Sequence, residues 1–188
     1  MKKLLALILP IFIFLTTGCT FANNNQDLSK FNNKKILITY YSNSGNTKYI
    51  AEKIKQEING DVFEIIPVKP YPKSYTELTE YAKQEKANKV LPKINTTDIS
   101  NYEIVFVGTP IWWGTMANPV ETFLKTNNFE GKTVIPFVTH GGGGGYQVAE
   151  DIKNIIPKAN VLEQLTIQDR GDSTTNKQIK KWLDNINF

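Results

Sequence analysis

The stretch Ile36-Leu37-Ile38-Thr39-Tyr40-Tyr41-Ser42-Asn43-Ser44-Gly45-Asn46-Thr47 decides the fold. It opens on an unbroken apolar run. A strand with one wet face alternates apolar and polar residues, whereas a run of this kind belongs to a strand buried on both faces of a parallel sheet. Six small polar residues follow, then a helix in which Ile50, Ala51, Ile54 and Ile58 share one face. Asn59-Gly60 closes that helix.

The same unit recurs along the chain. A second strand is expected over 61–66, ended by Pro67 and Pro70, and a polar helix over 75–88. A buried strand over 104–107 precedes a short helix over 119–125 with Pro119 in its first turn. The fourth strand, 133–138, contains Pro136, which removes a ladder hydrogen bond. A helix over 146–156, a fifth strand over 161–167 and a last helix over 174–186 complete the series. In the last helix Ile179, Trp182, Leu183 and Ile186 form an apolar stripe, which assigns Trp182 to the core rather than to a ligand. Five strands, each followed by a helix, predict an α/β fold: a doubly wound five-stranded parallel sheet with helices on both faces.

Three loops leave strands one, three and four. The first is Ser42, Asn43, Ser44, Gly45, Asn46 and Thr47, at a helix start, where free N–H groups and the helix dipole favour an anion. It contains no Lys or Arg, so the expectation is a phosphate held by neutral donors alone; the plainer alternative is a turn that only caps the helix. The second is Gly108-Thr109-Pro110-Ile111-Trp112-Trp113-Gly114. One Trp can turn inward while the other covers a flat ring, or both can pack under the next helix. The third is Thr139-His140 followed by Gly141, Gly142, Gly143, Gly144 and Gly145, before Tyr146. Bare backbone there offers N–H and C=O groups to the edge of a ring.

In the strand order 2-1-3-4-5 these three loops converge beyond the carboxyl ends of neighbouring strands. The ligand they describe has a terminal phosphate and a flat ring with a polar edge, and FMN matches it. Other phosphate sites fail. Gly131-Lys132-Thr133 resembles the tail of a Walker A loop, but position 126 is Thr and a strand follows. Tyr146 stands where a Gly-x-Gly-x-x-Gly motif needs its last Gly, a phosphatase loop lacks its Cys, and Gly108 replaces the Asp of a receiver domain.

The chain resembles the flavodoxins across residues 34–188. The resemblance rests on the Ser/Thr-x-Ser-Gly-x-Thr loop at Ser42 to Thr47, and it is closer to the flavodoxin-like lipoprotein subgroup. That subgroup has Tyr-Pro-x-x-Tyr, here Tyr71-Pro72-Lys73-Ser74-Tyr75, and Gly-Thr-Pro-Ile-Trp-Trp-Gly with a later Asn-Pro, here Asn118-Pro119. It also has a Pro before Phe in the fourth strand, here Pro136-Phe137. The resemblance implies noncovalent FMN, with its phosphate on the first loop and its isoalloxazine between the second and third. Where the subgroup's third loop reads Thr-Ser-Gly-Gly-Ser-Gly, this chain has His140 and five glycines. His140 is either a cation beside the ring, suited also to proton delivery, or a neutral residue bonding backbone.

The 188 residues begin with Met1-Lys2-Lys3, twelve mostly apolar residues and Thr16-Thr17-Gly18-Cys19. The run is shorter than the ~20 residues of a membrane span and reads as a signal peptide over 1–18. The ending resembles a bacterial lipobox with Cys19 as lipid attachment point, followed by a flexible tether over 19–33; an uncleaved anchor and a soluble secreted product are the alternatives. Cys19 is the only Cys and His140 the only His, which excludes a disulfide framework and a Cys- or His-based metal site.

Cleavage would remove Lys2 and Lys3 from 22 cations, leaving 20 against 18 anions, a net charge of +2. Interleaved signs without a basic aromatic stripe give no reason to expect nucleic acid. The three loops hold no carboxylate, and so an acidic flavodoxin would have the more negative reduced couple. The expected function is FMN-based electron transfer outside the cytoplasmic membrane, with lipid as the membrane link and a membrane-bound or extracytoplasmic donor and acceptor. The alternatives are an NAD(P)H- or quinol-linked quinone reductase and a lipoprotein that binds a ligand without redox work.

Overall fold

Strand β1 (Ile36–Tyr40) is buried at every position because a strand covers each edge and a helical layer each face. The computed structural model describes residues 28–144 and 146–188. Residues 1–18, where a signal peptide is expected, Cys19 and Gly145 lie outside the described residues. The elements that follow are α1 (Asn46–Glu57), β2 (Asp61–Glu64), α2 (Tyr75–Ala87), β3 (Ile104–Trp112) and β4 (Thr115–Met116). Then come α3 (Asn118–Thr126), β5 (Thr133–His140), α4 (Val148–Ile155), β6 (Asn160–Val161), β7 (Leu165–Gln168) and α5 (Thr175–Asn185).

The parallel sheet runs β2-β1-β3-β5, with β6 and β7 both pairing β5 on its far edge. Alternate residues face opposite layers. Ile38, Phe106, Ile135 and Phe137 pack with Ile50 and Ile54 of α1 and with Ile179 and Leu183 of α5. Leu37, Val105, Val107 and Val134 pack with Val120 and Phe123 of α3 and with Ile152 of α4. Trp182 lies edge-on to Phe106 at 5.8 Å, in the core as its spacing predicts.

Four expectations are corrected. The fifth strand is two short pieces, and Pro136 is the reason. Val134 accepts a hydrogen bond from Leu162 on the β6 side, so Pro136, two residues on, turns its missing N–H the same way. That side of Pro136 faces the interval between β6 and β7, where no ladder partner is required. The second loop is largely strand. β3 continues to Trp112 and turns through Trp113 (φ 51°) and Gly114 (φ 84°) into β4. Two successive positive φ values are the signature of a tight hairpin turn. Pro110 is tolerated because its N points toward β1, which has already ended at Tyr40.

The tether does not reach residue 33. A 3₁₀ turn at Ser29–Phe31 buries Phe31 against Phe106 and Phe188, and Lys30 donates to the carbonyls of Asp184 and Ile186 at 2.6 Å. The fourth helix starts at Val148, two residues late, because Gln147 is its non-helical cap residue.

Tyr40, Gly108 and Phe137 stand side by side on β1, β3 and β5. A Cβ on Gly108 would fall 2.2 Å from Phe137 Cζ and 2.8 Å from Tyr40 Cβ. Overpacking of a core typically costs about 1–3 kcal/mol, so Gly108→Ala is expected to lower stability by at least that much. Urea unfolding checks it, and an unchanged midpoint would contradict the packing account.

Candidate functional site

The carboxyl ends of β1, β3 and β5 border a cleft of about 610 Å³, within the roughly 300–1,000 Å³ typical of cofactor pockets. All three predicted loops contribute to it: Asn43, Ser44 and Asn46 from the first, Pro110, Ile111, Trp112 and Trp113 from the second, His140 and Gly141 from the third. Ser42, Gly45, Thr47, Gly114, Gly142, Gly143, Gly144 and Tyr146 are not among the residues that line it.

The first loop leaves polar groups open at the helix start. Gly45 takes the left-handed conformation (φ 86°) immediately before α1, and no side chain caps that helix. The first turn of a helix has N–H groups without intrahelical partners, and here the loop's own hydroxyls leave them free. Ser42 Oγ is buried and has no hydrogen-bond partner. Thr47 serves differently: its Oγ1 lies 2.8 Å from Thr139 Oγ1, a buried link between loop and β5.

The two tryptophans take different positions. Trp112 turns inward and meets Tyr71 (4.9 Å) and Tyr41 (5.4 Å) edge-on, contacts worth about 0.5–1.5 kcal/mol each beyond area burial. Trp113 is 54% exposed, donates Nε1–H to the Thr79 carbonyl at 3.0 Å and lies under Lys83. His140 takes the backbone-bonding role. Its Nδ1 accepts the Gly142 N–H at 3.1 Å. Gly142, Gly143 and Gly144 all have positive φ, which explains why no side chain interrupts them.

Two walls were not read from the sequence. Helix α2 presents Tyr75, Leu78, Thr79 and Ala82 to the cleft. Their spacing of i, i+3, i+4 and i+7 was visible, but the charged residues between them made the helix look wholly polar. The loop after β7 brings Asp169 to the cleft and Arg170 to the first loop, where Arg170 Nε donates to Asn46 Oδ1 at 3.3 Å. A cation from outside the first loop therefore stands beside its neutral donors. Only strand pairing could reveal this, because 124 residues separate Arg170 from Asn46. Among the described residues no group of His, Cys, Asp and Glu could hold a metal.

Behind Trp112 lies a buried carboxylate. Glu85 accepts from Tyr71 Oη (2.6 Å) and Asn118 Nδ2 (3.2 Å). Burial, and then the hydrogen bond to Glu85, push the Tyr71 phenol far above its ordinary range. Burial and the charge of Glu85 raise Tyr41, and burial and Glu64 raise Tyr40. Burial lowers Lys86, which donates to the Met116 carbonyl at 3.0 Å.

A phenol whose folded-state pKa is raised adds stability that is complete below its unfolded value and is lost above it. In an alkaline titration followed by phenolate absorbance, Tyr40, Tyr41 and Tyr71 are expected to stay neutral well above about pH 10, the ordinary phenol value. They should ionise only as the fold is lost. Early ionisation of all eight tyrosines in one ordinary step would contradict this cluster.

Solved structures resemble this architecture. A Bacteroides eggerthii protein designated a flavoprotein is 33% identical, with a TM-score of 0.71, covering 81% of this chain and 97% of that one. A Lactobacillus acidophilus flavoprotein in complex with FMN is 30% identical, with a TM-score of 0.62, covering 77% and 98%. A Cupriavidus metallidurans NAD(P)H dehydrogenase (quinone) is 27% identical over 90 residues, which span 48% of this chain and 45% of that relative. The flavodoxin family model matches residues 35–186, and the chain belongs to the flavodoxin family.

Proposed function

We propose that this flavodoxin-family protein binds FMN and carries electrons, held outside the cytoplasmic membrane by lipid on Cys19. The observation that supports the flavin most is the first loop: an uncapped helix start, left-handed Gly45 and the unpartnered, buried Ser42 Oγ, all at the edge of the cleft. The FMN bound by the Lactobacillus relative accords with it. When bound, FMN supplies the electron-accepting and electron-donating chemistry.

The chain's own residues hold and shield it. Backbone N–H groups of residues 42–47, with Ser42 and Ser44 hydroxyls, would take the phosphate. Trp112, Trp113 and Ile111 form the apolar wall for the ring, and the backbone from Gly141 onward would meet its polar edge. Asp169 supplies one carboxylate at the cleft in an otherwise near-neutral domain, so the reduced couple should remain less negative than in an acidic flavodoxin.

A quinone reductase is the second reading, favoured by the 90-residue similarity to the Cupriavidus enzyme. Sustained NAD(P)H oxidation with a quinone acceptor would support it over the carrier. The lipid link rests on Met1-Lys2-Lys3, the apolar run after it and Cys19. Among the described residues no helix is long and apolar enough to cross a membrane.

An absorption spectrum of the purified protein with and without added FMN tests the central reading. Flavin bands that persist through gel filtration are expected; a colourless protein that takes up no FMN overturns it. Because His140 Nδ1 is engaged by Gly142 and so holds the start of the third loop, His140→Ala should weaken FMN binding yet leave the potential unchanged. A shifted potential would show that His140 acts on the ring as a charge. Cys19→Ala is expected to move the protein from the membrane fraction to the soluble fraction, and retention at the membrane would refute the lipid link.

A further inference from the structure

The chain's 22 Lys+Arg include a single Arg, Arg170. It stands on the loop between β7 and α5, and that loop is firmly placed. The Asp169 N–H donates to the His140 carbonyl at 2.8 Å, and the Gly171 N–H to the Gln168 carbonyl at 2.7 Å. The Asp172 N–H donates to Thr175 Oγ1 at 2.7 Å, while Asp172 Oδ1 accepts from both the N–H and the hydroxyl of Thr174. Asp169 and Gly171 have φ of 50° and 74°, and a Cβ on Gly171 would fall 1.8 Å from Thr175 Oγ1. The turn thus has little freedom to swing Arg170 away.

Its side chain reaches the start of α1. Nε donates to Asn46 Oδ1 at 3.3 Å, the guanidinium lies 6.0 Å from the centre of the Tyr49 ring, and one terminal nitrogen is 3.2 Å from where a Cβ on Gly45 would stand. Ion pairs engage Lys34, Lys48, Lys125, Lys158 and Lys180; among the described residues no carboxylate pairs with Arg170. Lys48, the cation in the first turn of α1, is drawn to Glu64 at 3.1 Å. A guanidinium therefore rests, without a counter-ion, against a helix end that is itself positive. Two positive groups sharing one place repel unless an anion sits between them.

We infer that Arg170 is the cation of the phosphate site and makes that site select FMN over riboflavin. The inference rests on FMN being the ligand. With Nε engaged by Asn46, the two terminal nitrogens keep the fork that matches two phosphate oxygens. A phosphate monoester carries about −1.5 to −2 charges at pH 7, more than neutral N–H and hydroxyl donors can offset. Gly45 is required twice over: for its left-handed φ and for the space against which the guanidinium lies.

The test is fluorescence titration of flavin-free wild type, Arg170→Gln and Arg170→Lys with FMN and with riboflavin, at low and high salt. Charge-assisted hydrogen bonds imply that Arg170→Gln weakens FMN about tenfold to a hundredfold. Riboflavin affinity should not change, and Arg170→Lys should fall between the two proteins. Wild-type affinity for FMN should decline with salt, and that decline should be shallower in Arg170→Gln. Equal losses for FMN and riboflavin, or an unchanged FMN affinity, would overturn the inference while leaving FMN binding intact. Wild type that binds neither flavin would overturn the FMN reading, and this inference with it. Inorganic phosphate supplies an independent readout: it should raise the thermal midpoint of flavin-free wild type and not that of Arg170→Gln. An equal rise in both proteins would also overturn the role of Arg170.

Discussion

The row Tyr40–Gly108–Phe137 is the constraint on which the rest of the molecule depends. Three parallel strands can stay in register here only if their neighbouring side chains share one plane without collision, and two of the three are large aromatics. Gly108 resolves the conflict by having no side chain, so that Phe137 occupies the volume a Cβ would need. β1, β3 and β5 then keep their register through this row, and the segments beyond it open onto one cleft. The two prolines obey the same geometry. Pro110 and Pro136 each direct a missing donor to a side where the neighbouring strand has ended or is interrupted, so neither breaks a ladder.

The cleft is electrostatically sparse, which gives each charge near it weight. Uncapped N–H groups and an unpaired guanidinium stand at one end, and a single carboxylate borders the space. The indole of Trp113 and the phenol of Tyr75 flank the opening. Behind the apolar wall, Glu85 is kept satisfied by Tyr71 and Asn118, so the cleft's back is rigid and polar groups there do not compete for a ligand. An anion at one end and a flat ring along the wall is the arrangement that this distribution suits.

Much of this was legible before any coordinates. The run Ile36-Leu37-Ile38 specified a doubly covered strand, the stripe at Ile50, Ile54 and Ile58 specified its helix, and six polar residues between them marked a loop that borders the cleft. The hairpin at Trp113-Gly114 was less legible, because a Trp in a left-handed conformation runs against its own preference and is held there by Thr79 and the β4 pairing. Phe31 was masked by the asparagines around it, since a single apolar residue shows no period. Tyr75, Leu78 and Ala82 did carry a period, but the charges beside them hid it.

What the sequence by itself determined is local: which segments are buried, where the chain turns, and which loops carry donors for an anion. Those properties depend on neighbours a few residues apart, and periodicity records them. What only the tertiary structure decided is which distant loops meet. Arg170 reaches Asn46 because β7 pairs with β5 while β5 and β1 flank β3, and no pattern within either loop encodes that path. Strand pairing set the charge of the site, because registry across the sheet, not distance along the chain, determines which side chains share a dielectric.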